Sequence, residues 1–332
     1  MSNDVLLSVD GVTKEFSVST KGFFAKKETV SALDNVSFDI FKGETLGIVG
    51  ESGCGKSTVA RILMGIINPD RGTISFLDKE LPQARSLRRV QMVFQDSFLS
   101  LNPRLSILES VAFGPIANSI PRQEALRSAM EILASVGLEP SQFADRYPHE
   151  LSGGQRQRVN IARALALKPS LLILDEAVSA LDKSIQAQVL NLLVDIRKAF
   201  AFTYFFISHD LNVVQYISDR VLVMYLGHVV EVAAAEDIYA APKHPYTVAL
   251  LGAAPSIDPR KRTLNATLVG DPPSPINPPS GCRFRTRCSF AENICAAHTP
   301  ALVSAPREIK HSVACHMFVV DSGHSKAPGV RP

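Results

Sequence analysis

An apolar run, Thr45-Leu46-Gly47-Ile48-Val49, leads directly into Gly50-Glu51-Ser52-Gly53-Cys54-Gly55-Lys56-Ser57. The second stretch fits G-x-x-x-x-G-K-[ST]. Glycines at these places let backbone amides curl round a phosphate with no side chain in the way. Lys56 is then placed to neutralise β- and γ-phosphate oxygens, and the Ser57 hydroxyl to ligate Mg2+. Residues Thr58 to Met64 have a helical pattern, so the loop opens a helix whose N-terminus favours an anion. By accident such a pattern arises in roughly one chain in a hundred of this length, with Gly at ~7% of residues. A buried strand before it and a helix after it make accident rarer still. The expected phosphate site comprises Gly50, Ser52, Gly53, Cys54, Gly55, Lys56, Ser57 and Thr58. Cys54 sits where the backbone makes the contacts and reads as a tolerated small residue, not a nucleophile.

Other segments repeat the same grammar. Residues 5–16 and 36–41 alternate apolar and polar residues, as strands do. Leu171-Leu172-Ile173-Leu174 and Tyr204-Phe205-Phe206-Ile207 are unbroken apolar runs, expected of parallel strands covered on both faces. Residues 221–227 are another strand-length apolar stretch. Between these strands, Ile185, Val189, Leu192, Leu193 and Ile196 recur at helical spacing. Residues 104–150 read as mostly helical, with Ala125, Met130, Ile132, Leu133 and Val136 on one face and Gly137 as a stop. Strands alternating with helices imply an α/β fold around a parallel sheet.

The run at 171–174 ends in Asp175-Glu176. In open α/β sheets, ligands bind at the carboxyl ends of strands. Downstream of the phosphate loop, Asp175 is expected to reach Mg2+ through its water shell, and Glu176 to orient or deprotonate an attacking water.

Composition narrows the setting. The chain has 332 residues, 46% hydrophobic and 20% charged, with a net charge of +3. That is ordinary for a globular protein, and nothing in the charge points to nucleic acid. No stretch approaches the ~18 apolar residues that span a bilayer. The start, MSNDVLLSVDG, lacks the basic residues and long apolar stretch of a signal peptide. A cytosolic protein is expected, whose membrane role would require partners.

Further motifs resemble one family. Leu151-Ser152-Gly153-Gly154-Gln155, followed by Arg156-Gln157-Arg158, matches the signature of ABC ATPases. Physically it is again a helix N-terminus offering amides and a Ser hydroxyl to phosphate; in isolation it is also an ordinary helix cap. The resemblance implies that Ser152, Gly153, Gly154 and Gln155 act in trans, on the γ-phosphate held by a second ATPase subunit. It makes Gln95, in Val93-Phe94-Gln95-Asp96, the Q-loop residue that touches Mg2+ and the membrane partner. It makes Ser179-Ala180-Leu181-Asp182 the D-loop and His209 the switch histidine near the γ-phosphate. Phe16 falls where the family stacks an aromatic on adenine, although an aromatic in a strand is also often core. The family implies ATP and Mg2+ as cofactors, with Lys56, Glu176 and His209 in catalysis. Ala177 departs from the family's usual Pro after the catalytic Glu and is expected to loosen the turn into the D-loop. The fold implied is a P-loop NTPase domain over residues 1–254: a RecA-like parallel sheet core, an antiparallel β subdomain and a helical subdomain at about 96–158.

The stretches 100–104, 146–158, 243–255 and 270–288 look like the di- and oligopeptide importer branch. That implies a prokaryotic complex of an external binding protein, two permeases and two ATPases, with this chain peripheral on the cytoplasmic face of the membrane. Nickel or glutathione import remain open. So does a soluble ABC ATPase acting on DNA or ribosomes, although the chain has no coiled-coil insertion, tandem domain or basic block. A redox-sensing regulator centred on the tail is a third reading.

Residues 255–332 read as an extension of different composition. Pro272, Pro273, Pro275, Pro278 and Pro279 suggest a stiff, extended linker. Four of the five cysteines follow, spaced Cys282-x5-Cys288-x6-Cys295-x19-Cys315. In a reducing cytosol such crowding suggests ligation more than disulfides. The gaps are wider than those of common structural zinc sites. Similar tails in this branch are associated with an iron–sulfur cluster, so a four-iron cluster, zinc and no metal all stay open, and Arg283, Arg285, Arg287 and His316 would offset a cluster's negative charge. The last dozen residues are expected to be disordered.

Overall fold

The apolar runs form the middle of an eight-stranded sheet. The computed structural model describes residues 4–19, 27–77, 79–80, 89–253, 270–304 and 311–329. Strands β3 (Thr45–Val49), β6 (Val90–Val93), β7 (Leu171–Asp175), β8 (Thr203–Ile207) and β9 (Arg220–Tyr225) lie parallel in the order β9-β3-β8-β7-β6. Successive side chains of a strand face opposite sides of its sheet. Leu171, Ile173, Phe205 and Ile207 therefore join one apolar core. Leu172, Leu174, Tyr204 and Phe206 join the other. Cover on both faces is why these strands carry no polar alternation.

The first core is closed by the helix Lys56–Leu63 and by an antiparallel sheet, β2 (Lys27–Phe41), β1 (Val5–Ser19), β4 (Arg71–Phe76) and β5 (Lys79–Glu80), in that order. Phe38 of β2 stacks on Phe205, ring centroids 5.8 Å apart. The second core is closed by the helices Gly153–Leu165, Lys183–Phe200 and Leu211–Ile217 and by a helical group. That group holds Ile107–Ala117, Arg122–Ser135 and Pro140–Phe143. Ser106 starts it with a capping box, its hydroxyl accepting from the Glu109 amide while Glu109 accepts from the Ser106 amide,. Gly137, at φ 74, follows the Val136 cap of the second helix, as expected. The expected apolar face needs one correction: the helix buries Ala125, Ala129 and Leu133, whereas Met130 is exposed, because the period of 3.6 carries it round to solvent,.

Residues beyond β9 extend the sheet. β10 (His228–Ala234) pairs antiparallel with β9, β12 (Ser312–Val313) with β10, and β11 (Val303–Ser304) with β12. The cysteine-bearing segment is thus tied to the edge of the central sheet. Part of the expected linker, 254–269, lies outside the described residues; farther along, the Ser31 amide donates to the Pro275 carbonyl (3.2 Å). The expected disorder of the last dozen residues is overturned over 321–329, which form packed turns. His324 is buried, with Nε2 2.9 Å from the Phe290 carbonyl, and Lys326 Nζ lies 3.8 Å from the Phe290 ring centroid. Their anchors lie far back in the chain, so local polarity concealed them. Among the described residues no helix is long and apolar enough to cross a membrane.

Candidate active site

β3 delivers the phosphate loop to the carboxyl edge of the sheet, between β8 and β9. Two of its glycines are dictated by geometry. Gly50 has φ 152, and a Cβ there would meet the Met224 carbonyl oxygen at 2.2 Å; Gly55 has φ 111, and its Cβ would meet Ala32 O at 2.7 Å. Any larger residue at either place would shift the loop. Lys56 is buried, and its ammonium donates to the carbonyls of Gly50 (2.7 Å) and Glu51 (3.0 Å). Cys54 is buried beside it; burial pushes its thiol pKa up, only partly opposed by Lys56, and a protonated thiol is a poor nucleophile,.

Ser57 lies in the first turn of the helix, beside the Asp175 carboxyl at the end of β7. Burial raises the Asp175 pKa, and the neighbouring Ser57 hydroxyl works against that rise. Hydroxyl and carboxylate are hard oxygen donors, the type Mg2+ takes, so the pair fits that ion.

Glu176 follows with φ 49, an uncommon backbone for a non-glycine residue,. The turn is held firmly: the Glu176 amide donates to the Ile207 carbonyl (2.9 Å), while the Ser179 amide (3.1 Å) and hydroxyl (2.8 Å) donate to the Glu176 carbonyl. Ala177 is buried beneath it. The turn thus has its own hydrogen bonds where the family's proline would stiffen it. His209, just past β8, brings Nδ1 to 3.5 Å from Glu176 Oε1. Lys56, Ser57, Asp175, Glu176 and His209 therefore share one edge.

Other candidates stand apart. Gln95 is exposed beyond β6. Phe16 is half-buried in β1, paired with Val30, with Lys14 Nζ 5.6 Å from its ring centroid. Ser152 caps the helix Gly153–Leu165: its hydroxyl accepts from the Gln155 amide (3.3 Å), and the Gln155 side chain accepts from the Ser152 amide (2.9 Å). A Cβ on Gly154 would meet Ile185 Cγ2 at 2.4 Å, so the signature packs against the helix that follows the D-loop. Among the described residues no hydrogen bond or ion pair links Ser152–Gln155 to the phosphate loop of the same chain.

Cys282, Cys288, Cys295 and Cys315 line one cavity of about 20 Å³ together with His244, His316 and His324. Burial, with the neighbouring thiols adding to it, pushes Cys282 up to about 11 and Cys315 up to about 12. Among the described residues no three His, Cys, Asp or Glu side chains are arranged to hold a metal ion. The donors match a thiolate-ligated group in kind and number only.

Sequence reasoning missed one neighbour of the site. Arg287, expected only to offset charge near the cysteines, is buried against Glu51 of the phosphate loop. The two are 236 positions apart, so no local pattern could signal the pairing.

Comparison with known proteins agrees with this architecture. The ABC transporter family model matches residues 33–179. The model of the oligopeptide/dipeptide transporter C-terminal region matches residues 230–295. The oligopeptide transport ATP-binding protein OppF of Escherichia coli is 47% identical, over 94% of this chain and 96% of its own. AppF of Bacillus subtilis, an oligopeptide transport ATP-binding protein, is 48% identical over 96% and 98%. Among solved structures, cbiO1 from Clostridium perfringens, part of the ABC transporter complex cbiONQ, superposes with a TM-score of 0.62 at 29% identity, over 72% of this chain and 92% of that one. With the phosphate loop, acidic pair and signature placed on one cassette and these matches spanning nearly its whole length, the chain belongs to the ABC transporter ATP-binding proteins, in their oligopeptide/dipeptide transporter family.

Proposed function

We propose that this chain is the ATP-hydrolysing subunit of a peptide importer, peripheral on the cytoplasmic face of the membrane and coupled to separate permeases. The observation that carries the reading is the convergence of Lys56, Ser57, Asp175, Glu176 and His209 on one sheet edge. On ATP binding, Lys56 exchanges its bonds with loop carbonyls for β- and γ-phosphate oxygens, which the loop amides also cradle. Ser57, Asp175 and Gln95 would hold Mg2+, which would supply neutralisation of phosphate charge. Glu176 orients the attacking water and takes its proton. His209, with Nδ1 3.5 Å from Glu176 on one side, faces the γ-phosphate. Phe16 stacks on adenine. The water oxygen bonds to the γ-phosphorus as the bond to the β-bridging oxygen breaks, giving ADP and phosphate. Catalysis here is placement and electrostatics.

A second ATPase subunit completes the site. The separation of Ser152, Gly153, Gly154 and Gln155 from the same chain's phosphate loop supports their acting across the dimer. An external binding protein would deliver the peptide; nickel and glutathione are the other cargoes to be tested. For the four cysteines an iron–sulfur cluster is the reading to be tested, on the match of donor type and number alone, since among the described residues their arrangement fits no metal ion.

Transport is tested by reconstituting the chain with its permeases in vesicles. Uptake of labelled peptide that depends on ATP supports the reading; ATP hydrolysis with uptake of nickel or glutathione alone would move the cargo assignment. Anaerobically purified protein should contain iron and labile sulfide, both lost in Cys295→Ser; their absence would remove the cluster.

A further inference from the structure

Cys282-Arg283-Phe284-Arg285-Thr286-Arg287-Cys288 turns through a short 3-10 helix, Arg285–Arg287, so that two arginines reach the cassette on either side of one aromatic. Phe284 is the wedge: its ring centroid lies 5.3 Å from that of Tyr225 and 5.4 Å from that of Tyr246. On one side, Arg283 bonds the Leu226 carbonyl and the Asp34 carboxylate (2.7 Å). Asp34 connects onward, its amide donating to the Gly227 carbonyl (3.0 Å), and the Gly227 amide donates to the Cys54 carbonyl (2.9 Å) in the phosphate loop.

On the other side, Arg287 Nη1 donates to Glu51 Oε2 at 2.9 Å and Oε1 at 3.1 Å, and to the Tyr225 hydroxyl at 3.3 Å. The Arg287 side chain is only 6% exposed and that of Glu51 20%. A pair this sheltered keeps most of its attraction, and removing one partner strands the other's charge. Glu51 is pinned at its backbone as well: its amide donates to the Tyr246 hydroxyl (2.9 Å). Its carbonyl accepts from the Cys54 amide (3.3 Å) and from Lys56 Nζ (3.0 Å).

We infer that Arg287 is a positioning residue for the phosphate loop: it clamps Glu51 so that the cysteine-bearing extension sets the affinity of the cassette for Mg·ATP. The inference rests on Lys56 and its loop being the nucleotide site. Arg287 acts through Glu51. It fixes the residue whose carbonyl orients the Lys56 ammonium, so loop amides need not be ordered when nucleotide arrives. That pre-organisation lowers the ordering cost of binding. The clamp spans the interval between the two matched family regions, joining a loop in the first to a turn in the second.

The test is a double-mutant cycle in the full-length Glu176→Gln protein, with Mg·ATP binding read by calorimetry. Arg287→Gln and Glu51→Gln should each weaken binding roughly 10-fold, within the usual span of a coupling between sites. The double variant should bind no worse than the weaker single. In the hydrolysis-competent protein, Arg287→Gln should raise KM while leaving kcat nearly parental, a split that loss of folded protein would not produce. Arg287→Lys keeps the charge and loses the fork, so intermediate affinity is expected should Arg287→Gln fold poorly. Parental affinity in both Arg287 variants, or penalties that multiply in the double variant, would overturn the inference. Failure of the Glu176→Gln parent to bind Mg·ATP would instead overturn the functional reading.

Discussion

Glu176 Oε1 and His209 Nδ1 stand 3.5 Å apart because β7 and β8 run parallel, with Asp175 level with Ile207. The register brings Glu176, directly after β7, and His209, two residues past the end of β8, to the same edge. Glu176→Gln should therefore keep Mg·ATP binding and lose turnover by roughly 100-fold or more, the cost typical of removing a group that acts in the transition state. Phosphate release against calorimetric affinity checks this, and unchanged turnover would return Glu176 to a structural role.

Ser152 has two jobs that can be separated. Its hydroxyl accepts from the Gln155 amide, so Ser152→Ala should cost about 1 kcal/mol through loss of the cap,. If the hydroxyl also serves a neighbouring subunit, the nucleotide-locked dimer formed by the Glu176→Gln protein should weaken as well. Thermal melting and sedimentation read the two effects independently. A melting shift with no change in dimerisation would confine Ser152 to capping.

Glu231 holds the extension to the sheet. Fully buried in β10, it accepts from the amides of Lys243 (2.6 Å) and His244 (3.0 Å), and its Oε1 lies 2.7 Å from His311 Nε2. Burial works to raise its pKa, but the His311 bond and the amides outweigh it and hold the carboxyl below the usual range. A carboxylate depressed on folding contributes stability that is present above its unfolded pKa and is lost as pH falls through the folded one. Acid should therefore loosen the extension at a pH below the ordinary carboxylate range. Glu231→Ala should cost about 3–5 kcal/mol by stranding those partners. Hydrogen exchange across 311–313 checks both.

Phe205 tests the core. It is fully buried and stacks on Phe38 across the two sheets. Phe205→Ala should cost about 3–5 kcal/mol, read as a lower urea midpoint. A loss below about 1 kcal/mol would mean that the antiparallel sheet closes over the gap.

The active-site strands were legible because their burial leaves a mark in the residues themselves. A strand covered on both faces must be apolar throughout, and Thr45–Val49 and Thr203–Ile207 are buried at every position. The phosphate loop was legible because Gly50 and Gly55 take backbone angles that other residues rarely adopt. Met130 was misplaced because hydrophobicity alone does not say which side of a helix meets the core. The packed tail went unseen because Glu292 and Phe290, which hold Ser325, His324 and Lys326, lie some 30 positions earlier,.

By itself the sequence determined the local chemistry: a loop that cradles phosphate, carboxylates at strand ends and a capped signature helix. Each of these depends on residues a few positions apart, whose spacing is set by backbone geometry. Only the tertiary structure decided that the extension would join the sheet through β12 and that Arg287 would meet Glu51. Such contacts are chosen by the packing of distant surfaces, where burial of Phe284 and two arginines offsets the cost of ordering the chain between them, and no short-range pattern encodes that choice.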